Sequence, residues 1–213
     1  VKRFVEGAML PEDGYHMRWQ YFLNVDEEPK LCSNFLTRQI RDNNPFEFVK
    51  KYYETLKTSD RLAKEQYTDL KLYLSDAMLV KIDRMSMANS LEVRVPFLDH
   101  ELVEFSFTIP SQFKLRRFTT KYILKKAASS ILPREIIKKK KEGFSIPIKN
   151  WLRNEIKEYA ESILLSDSPA LEYFNKKYIE KLIYEHNKNK KDNSHKLWAL
   201  LNFVLWHKNY IEV

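Results

Sequence analysis

Three glycines in 213 residues, Gly7, Gly14 and Gly143, set the tightest limit on what this chain can fold into. A nucleotide-binding α/β fold turns from strand to helix through glycine-rich loops whose backbone N–H groups cradle phosphates. No such loop can be drawn here, and the alternation of strand and helix that would accompany it is missing too. Three- and four-residue apolar spacing instead recurs through most of the chain, so the expected fold class is mainly α.

Phe46 to Leu56 carries Val49, Tyr52, Tyr53 and Leu56 on one helical stripe. Arg61 to about Val80 carries Leu62, Tyr67, Leu70, Tyr73 and Leu74, with a continuation towards Met87. Pro96 ends helix, and Glu92-Val93-Arg94-Val95 before it reads as a short extended segment. Asp99 is placed to cap a helix through Leu102 to Phe107 that Pro110 stops, and Thr119 or Thr120 to cap one through Tyr122 to Ala128. That second cap would put Lys121 in the first turn of a helix. Lys138 to Pro147 is charged, then glycine, then proline, and reads as a loop. Beyond it, Trp151, Leu152, Ile156, Tyr159 and Ile163 follow one stripe, and Pro169 interrupts. Tyr178, Ile179, Leu182, Ile183 and His186 follow another, Asn187 to Ser194 is a loop, and Leu197 to Leu205 is the last helix.

With a net charge of +8 and lysine clusters at Lys138 to Lys141 and Lys188 to Lys191, an anionic partner has to be weighed. Many of these lysines alternate with acids on solvated helix faces, and no helix-turn-helix, RNP or zinc-finger signature accompanies them. Nonspecific basicity ranks first, a nucleotide-phosphate site second and nucleic acid third, with no specific nucleic-acid partner expected. The apolar segment Leu197 to Trp206 is far shorter than the roughly 20 residues that span a bilayer. The single Cys32 and the lack of any zinc-spaced cluster point to a reducing, cytoplasmic setting, with Cys32 a partly buried structural thiol and no metal site. The five histidines are scattered singly and read as surface or core residues. A chain that begins at Val1 is expected to be a fragment or a processed product.

Two lysines stand out. A cation at the start of a helix opposes the positive end of the helix dipole unless an anion joins it, so Lys121 is either a solvated surface lysine or a phosphate contact; the residues alone favour the former. Lys141, beside Gly143 and Phe144, is either one of four mutually repelling solvated lysines or an ammonium that swings onto developing negative charge.

The run Val80-Lys81-Ile82-Asp83-Arg84-Met85-Ser86-Met87-Ala88, followed by Ser90-Leu91-Glu92-Val93-Arg94-Val95-Pro96-Phe97-Leu98-Asp99-His100, resembles the C-terminal synthetase region of the glutamine-hydrolysing asparagine synthetase family. Thr120-Lys121-Tyr122-Ile123-Leu124, Leu132-Pro133, Lys141-Glu142-Gly143-Phe144-Ser145-Ile146-Pro147 and Leu197-Trp198-Ala199-Leu200-Leu201 agree in order. The likeness is strongest from about Leu74 onward. It implies one domain part over residues 1–213, weakly matched over 1–60 and strongly over 61–213. This would be the helical C-terminal half of an α/β ATP pyrophosphatase (adenine nucleotide α-hydrolase-like) synthetase domain.

In that family, ATP adenylates the side chain of aspartate, and ammonia from an N-terminal glutaminase domain attacks the aspartyl-adenylate. By resemblance Lys121 contacts phosphate oxygens, and Lys141 stabilises the pyrophosphate and the transition-state charge. ATP and Mg would be bound largely through an upstream pyrophosphate-loop segment, which with the glutaminase domain is the expected partner, in cis or in trans. Glu92, Arg94 and Asp99 match family positions too and are assigned scaffold roles, Glu92 and Arg94 locking neighbouring helices. Asp83 and Arg84 are read as structural.

The family's Ser-Gly-Gly-x-Asp-Ser loop and its N-terminal catalytic cysteine are absent from these residues. Met78 falls where asparagine synthetases carry an acidic residue, and Phe144-Ser145-Ile146-Pro147 replaces Phe-Ser-Asp-Gly. These departures leave open a relative acting on another carboxylate, such as a β-lactam, lasso-peptide or sugar amidotransferase. They also leave open a catalytically retired helical module. The chain alone is expected to be inactive, with apolar surface exposed where a sheet would pack and a homo-oligomeric contact as one outcome.

Overall fold

The structure is a computed structural model that describes Val5, Leu23 and residues 27–40, 45–140, 142–143 and 146–212. The described elements are almost all helical. In chain order they are α1 Glu28–Leu31, α2 Asn34–Ile40, α3 Pro45–Thr55, α4 Arg61–Asp69, a π-helical run Leu70–Leu79, α5 Val80–Met87, a 3-10 turn Pro96–Leu98, α6 His100–Thr108 and α7 Ser111–Lys114. There follow β1 Leu115–Arg116, β2 Thr119–Thr120, α8 Tyr122–Ala128, α9 Arg134–Lys138, α10 Ile148–Trp151, α11 Lys157–Leu164, a second 3-10 turn Pro169–Tyr173, α12 Lys176–Asn187 and α13 Ser194–Tyr210. They fall into two compact units, residues 46–143 and residues 1–45 with 144–213.

The discontinuous unit is organised around α13. Leu197, Leu200, Leu201 and Val204 are buried and Trp198, Phe203 and Leu205 partly so, which makes this helix apolar on most of its circumference. Such a helix is stable where neighbours surround it, and α10, α11, α12 and the second 3-10 turn all contact it. Leu164, Ile179 and Leu182 fill the core, each at 1% exposure, and full burial of such a side chain stabilises by roughly 1.5–3 kcal/mol. Asn175 caps α12 by accepting a hydrogen bond from the Tyr178 N–H at 3.3 Å. The N-terminal segment is stitched on by backbone bonds: Ser33 N–H donates to the Tyr173 carbonyl at 2.9 Å and Asn175 N–H to the Leu31 carbonyl at 2.7 Å. Cys32 lies between them, half-buried as expected and bridged to Phe174.

In the other unit Asp60 caps α4, accepting from the Ala63 N–H at 3.2 Å, and its second oxygen accepts from the Ser111 hydroxyl at 2.5 Å. Tyr67 and Phe107 meet edge to face with centroids 6.3 Å apart, which packs α4 on α6. Val49 and Tyr53 are buried on α3, as their stripe predicts. Among the described residues from Val80 to Gly143, however, none is buried. Ile82, Met85, Met87, Leu91, Val93, Phe97, Phe105, Ile131 and Ile136 are all exposed.

Four expectations need correction. The helical stretch from Arg61 is continuous to Met87 but turns π-helical at Leu70, and within that run Leu72 is buried while Tyr73 is exposed. Thr119 and Thr120 cap nothing, because they pair as β2 with β1, Leu115 opposite Thr120 and Arg116 opposite Thr119. The stripe from Trp151 to Ile163 is two helices with a turn between them, and Tyr159 is exposed. Lys138 closes α9 rather than opening the loop.

Candidate functional site

Lys121 is the residue immediately before α8, one position short of the expected first turn, and its backbone is left-handed at φ 55° and ψ 37°. For a residue with a Cβ that conformation is unfavourable by roughly 1–2 kcal/mol, and it persists where the flanking chain is fixed on both sides. The Lys121 carbonyl accepts the Lys125 N–H at 2.9 Å, which starts the helix, and Thr120 before it is held in the β1–β2 pair.

Lys121 is one of the residues lining a cavity of about 760 Å³ formed chiefly by α4, the π-helical run, α6 and α8. Leu70, Leu74, Leu98, Phe107 and Ile123 make it mainly apolar, and Lys114, Lys121, Asp69, Gln66 and Ser106 are among its charged and polar members. Lys114 donates to Gln66 at 3.3 Å and stands 5.3 Å from the centroid of the Phe107 ring. Burial pushes its ammonium below the usual lysine range, and the Asp60 carboxylate opposes this. Lys114 is thus partly buried and Lys121 exposed, two cations on one mainly apolar cavity that the Asp69 carboxylate also lines.

The other sequence-predicted residues separate. Lys141, with Phe144 and Ser145, lies outside the described residues. Gly143 is described: a Cβ there would meet nothing within 4 Å, so neighbouring atoms do not require its glycine. Asp99 does cap α6, accepting the Leu102 N–H at 3.1 Å. Glu92 and Arg94 pair with each other on an exposed segment instead of locking neighbouring helices together. Their positions two apart in a segment without helix or strand leave the two side chains near enough to pair. Asp83 and Arg84 are exposed on α5, and Asp76 accepts a hydrogen bond from the Ser75 hydroxyl. Sequence reasoning missed Lys114 and the hairpin before Lys121. The hairpin turn is Arg117-Phe118, with Arg117 at φ 54°, and it lacks the glycine or asparagine that ordinarily signals such a turn.

No group of three or more His, Cys, Asp or Glu among the described residues could hold a metal ion. No described helix is long and apolar enough to cross a membrane.

The family model for asparagine synthase matches residues 3–208 of this chain. Glutamine-hydrolyzing asparagine synthetase 1 of Bacillus subtilis is 39% identical over 178 residues, covering 83% of this chain and 28% of that protein. Glutamine-hydrolyzing asparagine synthetase 3 of the same organism is 34% identical over 66% of this chain and 25% of its own length. The glutamine-hydrolyzing asparagine synthetase of Gallus gallus is 33% identical over 57% and 22%. The chain thus spans about a quarter of the length of the curated relatives it matches. No solved structure matches it.

Proposed function

The chain belongs to the asparagine synthase family, and we propose that its 213 residues are the helical C-terminal part of the synthetase domain of an ATP-dependent amidotransferase that makes asparagine from aspartate. The observation that carries this is the family match over residues 3–208, which takes in the Glu92 to Asp99 segment, Lys121 and the Lys141 loop together. ATP, a substrate here, transfers its adenylyl group to the aspartate carboxylate with release of pyrophosphate, and ammonia from glutamine attacks the acyl carbon and expels AMP.

Lys121 fits one part of ATP, the phosphate oxygens, since it carries an ammonium and is a lining residue of a mainly apolar cavity. Lys141 is assigned the neutralisation of charge that builds on the departing pyrophosphate. No glycine-rich turn among these residues could hold the rest of a triphosphate. The pyrophosphate loop, the Mg site and the glutaminase are therefore assigned to an upstream segment in cis or in trans. The exposed apolar side chains between Val80 and Ile136 fit the same reading, as the face on which a sheet-bearing segment packs and excludes water.

The test is pyrophosphate release from ATP, aspartate and ammonium, with this chain alone and with a pyrophosphate-loop segment restored. Release that needs the segment and falls about 10²–10³-fold in Lys141→Ala is the expected result. Turnover by the chain alone, or silence with aspartate in a folded complex, overturns it. Release with a different carboxylate would place the chain among relatives with another acceptor, the reading that Met78 and Phe144-Ser145-Ile146-Pro147 leave open.

A further inference from the structure

Lys121 is bracketed by one side chain. Arg116, on β1, reaches past the hairpin so that Nη1 donates to the Tyr122 hydroxyl at 2.6 Å, and its guanidinium lies 5.0 Å from the centroid of the Tyr122 ring. Arg116 is opposite Thr119 and its neighbour Leu115 is opposite Thr120, so the strand that carries Arg116 also holds the residues before Lys121. The residue after Lys121 is Tyr122 itself. A left-handed lysine relaxes to an ordinary conformation unless both flanks are held, and relaxation would re-aim its side chain. A planar fork that can stack and donate at once suits this task better than a point charge.

We propose that Arg116 is a positioning residue for Lys121, clamping Tyr122 to the β1–β2 hairpin and so aiming the Lys121 ammonium at the phosphate oxygens it binds. This rests on the phosphate-binding reading of Lys121. Arg116 touches no substrate in this scheme, and its effect passes through Lys121 alone.

The test compares Arg116→Ala, Arg116→Lys, Tyr122→Phe and Lys121→Ala, together with the Arg116→Ala/Lys121→Ala double variant, in the chain assembled with its pyrophosphate-loop segment. Titration calorimetry with inorganic pyrophosphate and hydrogen exchange of the Lys125 amide are read beside kcat and KM for ATP. Arg116→Ala is expected to weaken pyrophosphate about tenfold, raise KM for ATP more than it lowers kcat, and speed Lys125 exchange. Arg116→Lys should restore part of each, Tyr122→Phe should reproduce part of the loss, and the double variant should bind no worse than Lys121→Ala. A further loss in the double variant would make Arg116 an independent phosphate contact and overturn the proposal. Unchanged binding in Arg116→Ala while Lys121→Ala is impaired would overturn it too. If Lys121→Ala itself binds pyrophosphate normally, the reading of Lys121 fails first and the positioning role falls with it.

Discussion

The ammonium of Lys196 stands 2.5 Å from both carboxylate oxygens of Glu27, a residue 169 positions earlier in the chain. Lys191 adds a third contact at 3.2 Å. Glu27 precedes α1, Lys196 lies in the first turn of α13, and Lys191 is in the loop that leads to it. The triad therefore fastens the N-terminal segment to the central helix of its unit. Burial pushes the Glu27 carboxyl up, but the hydrogen bonds and charges of Lys196 and Lys191 outweigh it and hold the group at about 2.

Because the folded value lies below the ordinary 4.5, Glu27 stabilises the fold fully above about pH 4.5, and that contribution is lost as pH falls towards 2. A shift of that size corresponds to about 3 kcal/mol. Urea denaturation between pH 2 and 6 should show a steep loss for the native chain and a shallower one for Glu27→Gln, which begins less stable. Equal pH slopes for the two would remove Glu27 from this role.

His186 is fully buried on α12, with Nε2 3.2 Å from the Lys149 carbonyl and Nδ1 3.3 Å from the Asn193 N–H. These partners assign a neutral ring whose Nε2 donates and whose Nδ1 accepts. Burial lowers its pKa below the usual 6.5 and the neighbouring Arg153 adds to this, while the Lys149 carbonyl and Asp192 oppose. A neutral buried imidazole stabilises above the unfolded value and loses that contribution as pH falls below about 6.5. Stability should therefore decline from pH 7 to 5 in the native chain, and His186→Gln should lack that part of the decline. Denaturation midpoints at the two pH values decide the matter.

Asp60 joins two elements through separate oxygens, one capping α4 and one receiving the Ser111 hydroxyl. The Ser111 bond and the cap hold its carboxyl below the usual aspartate range, against the opposing effect of burial. Loss of a cap costs about 1 kcal/mol and of a hydrogen bond about as much. Asp60→Ala should thus destabilise its unit by about 2 kcal/mol and Ser111→Ala by about half of that, as measured by the chemical denaturation of each variant. Equal effects would mean that the cap contributes nothing.

Leu182 and Tyr159 both follow an apolar stripe in the sequence, yet Leu182 is 1% exposed and Tyr159 is 54% exposed. Leu182→Ala should destabilise by about 2–5 kcal/mol. Tyr159→Ala should change stability by no more than about 0.5 kcal/mol, as exposed positions do. A large loss at Tyr159 in thermal or urea unfolding would show that its surface is covered in solution.

Much of the helical framework was legible because its signals are short-range. The stripes on α3 and α12, the apolar α13, the Asp99 cap and the stops at Pro110 and Pro169 all lie within a few residues of the structure they specify. The π-helical run was not legible, since its hydrogen bonds differ from those of an α-helix by one residue of register and the two apolar stripes differ by less than one residue per turn. Nor was the hairpin before Lys121, whose Arg117-Phe118 turn lacks turn chemistry. Of the candidate site, Lys121 was singled out by its motif, but its left-handed backbone and the contact of Arg116 with Tyr122 were not legible.

What the sequence by itself determined is therefore the mainly helical composition, most helix positions, the absence of a glycine phosphate loop and the family to which the motifs belong. Each follows from residue type or from spacings of three and four, which local hydrogen bonds and one-sided burial read directly. The tertiary structure alone decided that Glu27 meets Lys196 and that Asp60 meets Ser111. It also decided that the apolar residues from Val80 to Ile136 remain on the surface of their unit while those of α12 and α13 are buried. These outcomes depend on which segments pack together across dozens of residues, and a local pattern shows that a face is apolar without specifying what covers it.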